Sequence, residues 1–165
     1  MMTYGFVDSA KLLFKHVLDF KGRSCRAEFW WAYLFVFLTQ IAAGLIIAIA
    51  EAAKLPAILS LLLSFGSIAL SVFLFVAQVS LAFRRLHDVG RSAWYKLWVV
   101  LAAISVLIIG SLVLSMTGDG AKLIVIPLMV VLALVPSCVL LYWYGKKGQV
   151  GPNKYGADPL QGNYY

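Results

Sequence analysis

Charged residues are scarce in this chain. Only 13% of its 165 residues are Asp, Glu, Lys or Arg, whereas 62% are hydrophobic. A soluble domain is typically about one quarter charged and about half apolar, so this composition excludes an ordinary water-soluble domain and favours a membrane protein. The net charge is +7, but a chain this apolar is not expected to bind nucleic acid. The more informative property is where the positive charges lie relative to the membrane spans.

Cysteine and the familiar catalytic motifs are also scarce or missing. Cys25 lies in a basic segment and Cys138 inside an apolar run, so the two should lie at different depths, and neither a disulfide nor a metal site is expected. The sequence lacks the Walker A, GxSxG and HExxH signatures. We therefore predict no catalytic residue, no metal site and no cofactor, and we favour a protein that is not an enzyme.

Four long apolar runs are present, and they predict an all-α integral membrane protein with four transmembrane helices. Each run is long enough, at 1.5 Å per residue, to cross a hydrocarbon core of roughly 30 Å. Aromatic residues flank the runs, as is typical of helices that end at a membrane–water interface. The predicted transmembrane domain covers residues 23–145, with spans at about 29–50, 55–83, 94–118 and 123–145.

The two ends of the chain lie outside these spans. Residues 1–22 are predicted to form an amphipathic interfacial helix, because apolar side chains from Phe6 to Phe20 gather on one face at 100° per residue. Lying flat at the headgroup level is the simplest way to cover that face, and docking on the helix bundle is the alternative. Residues 146–165 are rich in Gly, Pro and Asn, which predicts a cytoplasmic tail made of turns.

The distribution of basic residues predicts the orientation. Of the 14 Lys and Arg residues, all but Lys54 and Lys122 lie before the first span, from the end of the second span to the start of the third, or after the fourth. The positive-inside rule then places both termini in the cytoplasm. The two outer loops are only a few residues long, so any function should lie within the bilayer or on its cytoplasmic face.

Three polar segments lie on that predicted cytoplasmic side. Residues 19–30 read DFKGRSCRAEFW, residues 84–94 read RRLHDVGRSAW and residues 151–159 read GPNKYGADP. They resemble the F-x-G-R-x-x-R-x-E-F-W opening, the R-R-L-H-D-x-G-R-S-x-W loop and the G-x-N-x-Y-G-x-D-P ending of a bacterial inner-membrane family, domain of unknown function 805. The resemblance covers nearly the whole chain. It implies a four-span protein of the bacterial cytoplasmic (inner) membrane, and it implies no activity.

The polar residues of these segments admit two interpretations. In the first they form a structural clasp, in which acids pair with arginines and the tail folds over them; its members are Glu28, His87, Asp88, Asn153 and Tyr155. In the second they form a site for an anionic headgroup or a small phosphorylated ligand, because the planar fork of arginine suits phosphate. The candidates for that site are Arg23, Arg26, Arg84, Arg85, Arg91 and Ser92.

We accordingly predict a structural or interaction module with an arginine-rich cytoplasmic site. The expected partners are anionic membrane lipids, with a second copy of the chain or another membrane protein as a further possibility. The alternative function is a small transporter or an accessory factor of a membrane enzyme. Two sequence features favour transport. One is Pro136 inside the fourth span, and the other is a polar face on the second span, which otherwise predicts a helix-packing seam of small residues; the face comprises Ser60, Ser64, Ser67, Ser71 and Gln78.

Overall fold

The computed structural model describes residues 4–116 and 118–161, apart from the side chains of Leu107, Asp119, Ala121 and Ala133. The regular secondary structure of these residues consists of five helices, and they contain no β-strand. The helices, in chain order, are α1 Phe6–Lys15, α2 Arg26–Ala52, α3 Ala57–Asp88, α4 Trp94–Met116 and α5 Asp119–Gly145.

Helices α2, α3, α4 and α5 are each long and apolar enough to cross a membrane. The shortest, α4, has 23 residues, which corresponds to about 35 Å of helix and exceeds the hydrocarbon thickness. Pro127 and Pro136 both lie inside α5, which continues through them. These four helices confirm the prediction of an all-α protein with four spanning segments.

Helix α3 runs further than its predicted span of residues 55–83. Arg84 to Asp88, which lie beyond the predicted span, continue the helix. The helix ends in a Schellman motif, in which Gly90 N–H donates to His87 O and Arg91 N–H donates to Leu86 O. Gly90 has a φ of 75°, which glycine adopts without strain. The polar residues therefore project from a rigid helical end instead of a loop.

Helix α1 lies against the bundle. Its Phe6 ring contacts Trp31 and Phe35 of α2, and its Phe14 ring contacts Phe35 and Phe73 of α3, with centroid separations between 5.7 and 6.1 Å. Leu13 is buried between these helices. Of the two partners considered for the apolar face of α1, the helix bundle is the one that this face contacts.

The buried hydrophobic core lies at one end of the bundle. It combines α1 with the start of α2, the end of α3 and the end of α5. Along the rest of the bundle α2 packs with α3, and α4 packs chiefly with α5. The members of the core are Leu13, Phe29, Ala32, Val36, Leu74, Ala77, Leu81, Ala82, Leu86, Leu140 and Tyr144.

The serines of α3 mostly satisfy their hydroxyl groups within their own helix. Ser60, Ser64 and Ser67 donate to backbone carbonyls three or four residues earlier. Ser71 instead donates to Oε1 of Gln40 on α2, at 3.1 Å. On this polar face, three serines bond to the backbone within their own turn of chain, and Ser71 forms a bond between α3 and α2. Polar bonds of the second kind are typical of helices that pack against each other in lipid.

Candidate functional site

The three polar segments of the sequence meet at the end of the bundle that holds the core. The linker before α2, the last turn of α3 and the chain after α5 all contribute to this cluster. We give the name charged clasp to the five buried residues of this cluster that form ion pairs with one another. They are Arg23, Glu28, Arg84, Arg85 and Asp88.

Asp88 is the centre of the charged clasp. Its Oδ1 accepts hydrogen bonds from Nε and Nη2 of Arg23, at 3.1 and 2.9 Å. Its Oδ2 accepts from Nη1 of Arg85, one helical turn earlier on α3. All three side chains are at least 95% buried. A buried carboxylate is tolerated only when it is paired and hydrogen-bonded, and two arginines supply that pairing here.

Arg85 joins the end of α3 to the end of α5. Its Nε donates to Tyr144 O at 3.0 Å, and its Nη2 donates to Lys146 O. The last carbonyls of a helix lack partners within the helix and lie at the negative end of its dipole. A buried guanidinium placed there satisfies both the hydrogen bonding and the charge, so Arg85 serves as a cap for α5 from another helix.

Arg23 fixes the chain that follows α5. Its Nη1 donates to Gly151 O at 2.6 Å, and its Nη2 also donates to Gln149 O. The backbone of Gln149 also bonds to α3, since its N–H donates to Asp88 O at 2.9 Å. Residues 149–151 are thereby held against α3.

Glu28 and Arg84 form the second buried pair. Glu28 lies in the first turn of α2 and its Oε1 accepts from Nη1 of Arg84 at 3.0 Å. Cys25 is the N-cap of α2, and its Sγ accepts from the N–H of Glu28 at 3.5 Å. Burial, reinforced by the nearby Glu28 charge, raises the pKa of the Cys25 thiol, so this thiol is poorly reactive in the folded protein.

His87, Asn153 and Tyr155 connect α3 to the tail outside the charged clasp. The rings of His87 and Tyr155 stack with centroids 4.0 Å apart and planes 6° apart. Nδ2 of Asn153 donates to His87 O at 3.0 Å. His87 Nδ1 lies 3.2 Å from Gly22 O, on a different side of α3 from the contacts of Asp88. The adjacent His87 and Asp88 therefore do not form an acid–base dyad.

Asp158 orders the tail loop, although the sequence analysis did not single it out. Its carboxylate accepts from the N–H groups of Gly151 and Leu160, at 2.9 and 3.0 Å. Burial opposes its ionisation, but these two bonds and the nearby Arg23 charge outweigh that effect and lower its pKa. The Asp-Pro at the end of the third sequence motif was a signal for this residue, whereas nothing marked Gly148 or Gln149.

The six predicted anion-site residues differ in their exposure. Arg23, Arg84 and Arg85 are buried and bonded to protein acceptors in the charged clasp. Arg26 and Arg91 are exposed. Ser92 is half-buried, and its Oγ accepts from the N–H of Trp94 at the start of α4.

Arg91 lies among aromatic rings. Its guanidinium carbon is 5.3 Å from the ring centroid of Trp143 and 5.7 Å from that of Tyr95. These distances are within the range of cation–π attraction. Arg26 lies on the other side of the cluster, where its Nη1 donates to Gly145 O at 3.4 Å.

Comparison with known proteins adds three findings. The profile of the family described as "Protein of unknown function (DUF805)" matches residues 17–157. The chain is similar to the inner membrane protein YhaI of Escherichia coli strain K12, with 28% identity over 149 residues, 90% of this chain and 92% of YhaI. YhaI of Escherichia coli O157:H7 matches with the same identity and coverage. No solved structure matches the chain significantly.

Proposed function

The chain belongs to the DUF805 family of inner-membrane proteins, and we propose that it is a structural or interaction module with an arginine-rich surface for anionic lipid headgroups. In this proposal the charged clasp has a structural role. It holds the ends of three elements in one rigid cytoplasmic platform, and the exposed arginines beside it contact the lipid.

The orientation that we propose for the chain in the membrane follows from the distribution of Lys and Arg between the two ends of the bundle. The end of the bundle that carries the charged clasp also carries the excess of Lys and Arg, and the opposite loops carry Lys54 and Lys122. The positive-inside rule therefore favours a cytoplasmic clasp and two cytoplasmic termini. Helix α1 packs beside that end, which favours a position at the cytoplasmic headgroup layer for its exposed polar face.

The observation that carries the proposal is the placement of Arg91. Its guanidinium is exposed and is held over the rings of Tyr95 and Trp143. Tyr and Trp are the residues that settle at the headgroup level, which favours a position for this guanidinium at the depth of the lipid phosphates. Arg26 offers a second exposed guanidinium at the start of α2. Arginine binds phosphate with two parallel hydrogen bonds, which suits both residues to headgroup contact.

Native mass spectrometry of the gently extracted protein tests the proposal. We expect the wild type to retain phosphatidylglycerol in preference to phosphatidylethanolamine. Arg26→Gln and Arg91→Gln should each weaken that retention about fivefold, since a basic residue near an anionic surface contributes about 1 kcal/mol. Lys54→Gln is the matched control, because it removes one exposed cation from the opposite end of the bundle. Equal retention in all four proteins would contradict headgroup recognition by these arginines.

A further inference from the structure

A cavity of about 220 Å³ lies beside the charged clasp, between the end of α3, the linker before α2 and the tail. This volume is below the roughly 300–1,000 Å³ of sites for drug-sized ligands, so it suits a small group. The acidic and basic side chains that line it are His16, Asp19, Lys21, Arg23, Glu28 and Arg84.

Arg84 is incompletely bonded in this cavity wall. It is 5% exposed, and its Nη1 is bonded to Glu28. Its Nε and Nη2 are buried and have no hydrogen-bond partner among the residues that the structure describes. In the planar guanidinium the Nε–H and one Nη2–H point in parallel from a single edge, the edge that holds an oxyanion with two bonds. Unsatisfied buried donors on a cation carry a free-energy penalty that such a ligand would remove.

The charges around the cavity also favour an anion. Arg23, Arg84 and Lys21 are cations at neutral pH, whereas Asp19 and Glu28 are the two acids of the lining. Both acids already have partners. Glu28 accepts from Arg84, and the Asp19 carboxylate lies 3.2 Å from His16 Nδ1 and accepts from the N–H of Lys21 at 3.0 Å. The formal charges of the lining therefore sum to one net positive charge, and the Nε and Nη2 donors of Arg84 are unbonded within the described part of the chain.

We propose that this cavity binds a phosphate group, held on two oxygens by Nε and Nη2 of Arg84 and contacted at the rim by the ammonium of Lys21. The group is either free phosphate or the phosphate of a lipid headgroup, because both present the same oxygens. This site is separate from the headgroup surface proposed above, since neither Arg26 nor Arg91 lines the cavity.

Calorimetric titration of the full chain in a phosphate-free maltoside detergent tests this site. Inorganic phosphate is the first probe, with chloride at the same ionic strength as its control. Phosphatidylglycerol in mixed micelles is the second probe. We expect saturable binding of at least one probe to the wild type. Phosphate binding that phosphatidylglycerol does not displace assigns the site to the free anion, and displacement assigns it to the headgroup.

Two substitutions locate the binding. Arg84→Lys keeps a positive charge beside Glu28 but removes the two-donor edge, so binding should be lost. Lys21→Ala changes an exposed side chain and should leave the fold intact while weakening binding about tenfold, as expected for one charge-assisted hydrogen bond. Lys11→Ala, on the exposed face of α1 and outside the cavity lining, should bind as the wild type does.

The proposal is overturned if neither probe binds the wild type, or if Lys21→Ala binds as tightly as Lys11→Ala. Because Lys21→Ala alone decides between these outcomes, a failure of Arg84→Lys to fold does not affect the test. Arg26→Gln and Arg91→Gln should leave phosphate binding unchanged, which separates the cavity from the headgroup surface.

Discussion

Asp88 is the carboxylate that forms ion pairs with both Arg23 and Arg85 in the charged clasp. Asp88→Asn keeps the shape of the side chain but leaves both guanidinium groups buried without a charged partner. Because removing one partner of a buried ion pair strands the other charge, we expect the free energy of unfolding to fall by about 3–5 kcal/mol. Thermal unfolding in detergent measures the loss. Glu51→Gln, at an exposed acid, is the control, and an equal effect of both substitutions would contradict a central role for Asp88.

A substitution at Gly148 tests how closely the chain after α5 packs on the Asp88 carboxylate. A Cβ added at Gly148 would overlap Oδ2 of Asp88, whereas a Cβ at Gly145 would have no atom within 4 Å. Gly148→Ala should therefore displace the Asp88 side chain and destabilise the protein by about 1–3 kcal/mol, the usual cost of overpacking. Gly145→Ala provides the matched control three residues away. If the two variants unfold at the same temperature, the chain after α5 does not pack on Asp88 as described.

At the scale of elements, the tail is joined to the bundle by a few specific bonds. Asp158 holds the loop that carries Gly151, and Gly151 accepts from Arg23. A carboxylate with a lowered pKa stabilises the folded form fully above its unfolded pKa of about 3.9. That contribution is lost as the pH falls through the lower folded value, so the tail loop should loosen only below about pH 4.

The amide proton of Gly151 reports this transition in a pH titration by NMR, because its N–H donates to the Asp158 carboxylate. We expect its chemical shift to titrate with a midpoint below about 3.9, and Asp158→Asn should abolish the titration. The amide of Gly120, at the opposite end of the bundle, serves as the reference. A midpoint above the ordinary value of aspartate would contradict the hydrogen-bonding account of its pKa.

The elements themselves were largely predictable. Four apolar runs of spanning length can satisfy their backbone groups in lipid only as helices, so composition and length were enough. The end of α3 was not predictable in the same way, because charged residues after an apolar run mark the limit of a membrane span and carry no information about the limit of a helix. Gly90 was the available signal, since a glycine at this position commonly ends a helix.

The sequence also did not predict which arginine pairs with which acid in the site. Arg23, Arg84 and Arg91 all lie in polar segments beside the spans, yet Arg23 and Arg84 are buried and Arg91 is exposed. Which arginine forms an ion pair depends on how three segments that are distant in sequence pack together. A local sequence pattern does not predict this packing. The membership of Glu28, Asp88, Asn153 and Tyr155 in one cluster was predicted because their motifs lie on the same side of the spans.

At the scale of the whole molecule, the charged clasp connects two helical hairpins, one formed by α2 and α3 and the other by α4 and α5. Helix α4 packs chiefly with α5, and α2 packs with α3, so few contacts join the two hairpins. In lipid no hydrophobic effect drives helices together, and hydrogen bonds and close packing take its place. Arg85 supplies such bonds by donating from α3 to the carbonyls at the end of α5. A joint of this kind restrains the hairpins at one membrane face and leaves their far ends less constrained.

The proposed orientation of that joint predicts a labelling pattern. Cys25→Ser with Cys138→Ser gives a cysteine-free background, and serine suits the N-cap position of Cys25. In that background we expect Lys54→Cys to react with a membrane-impermeant maleimide in intact spheroplasts. We expect Lys147→Cys to react only in inside-out vesicles, because basic residues near span ends remain on the cytoplasmic side. Both lysines are exposed, so burial does not limit the reaction. Labelling of position 147 from outside would invert the proposed topology and move the headgroup surface and the phosphate cavity to the periplasmic face.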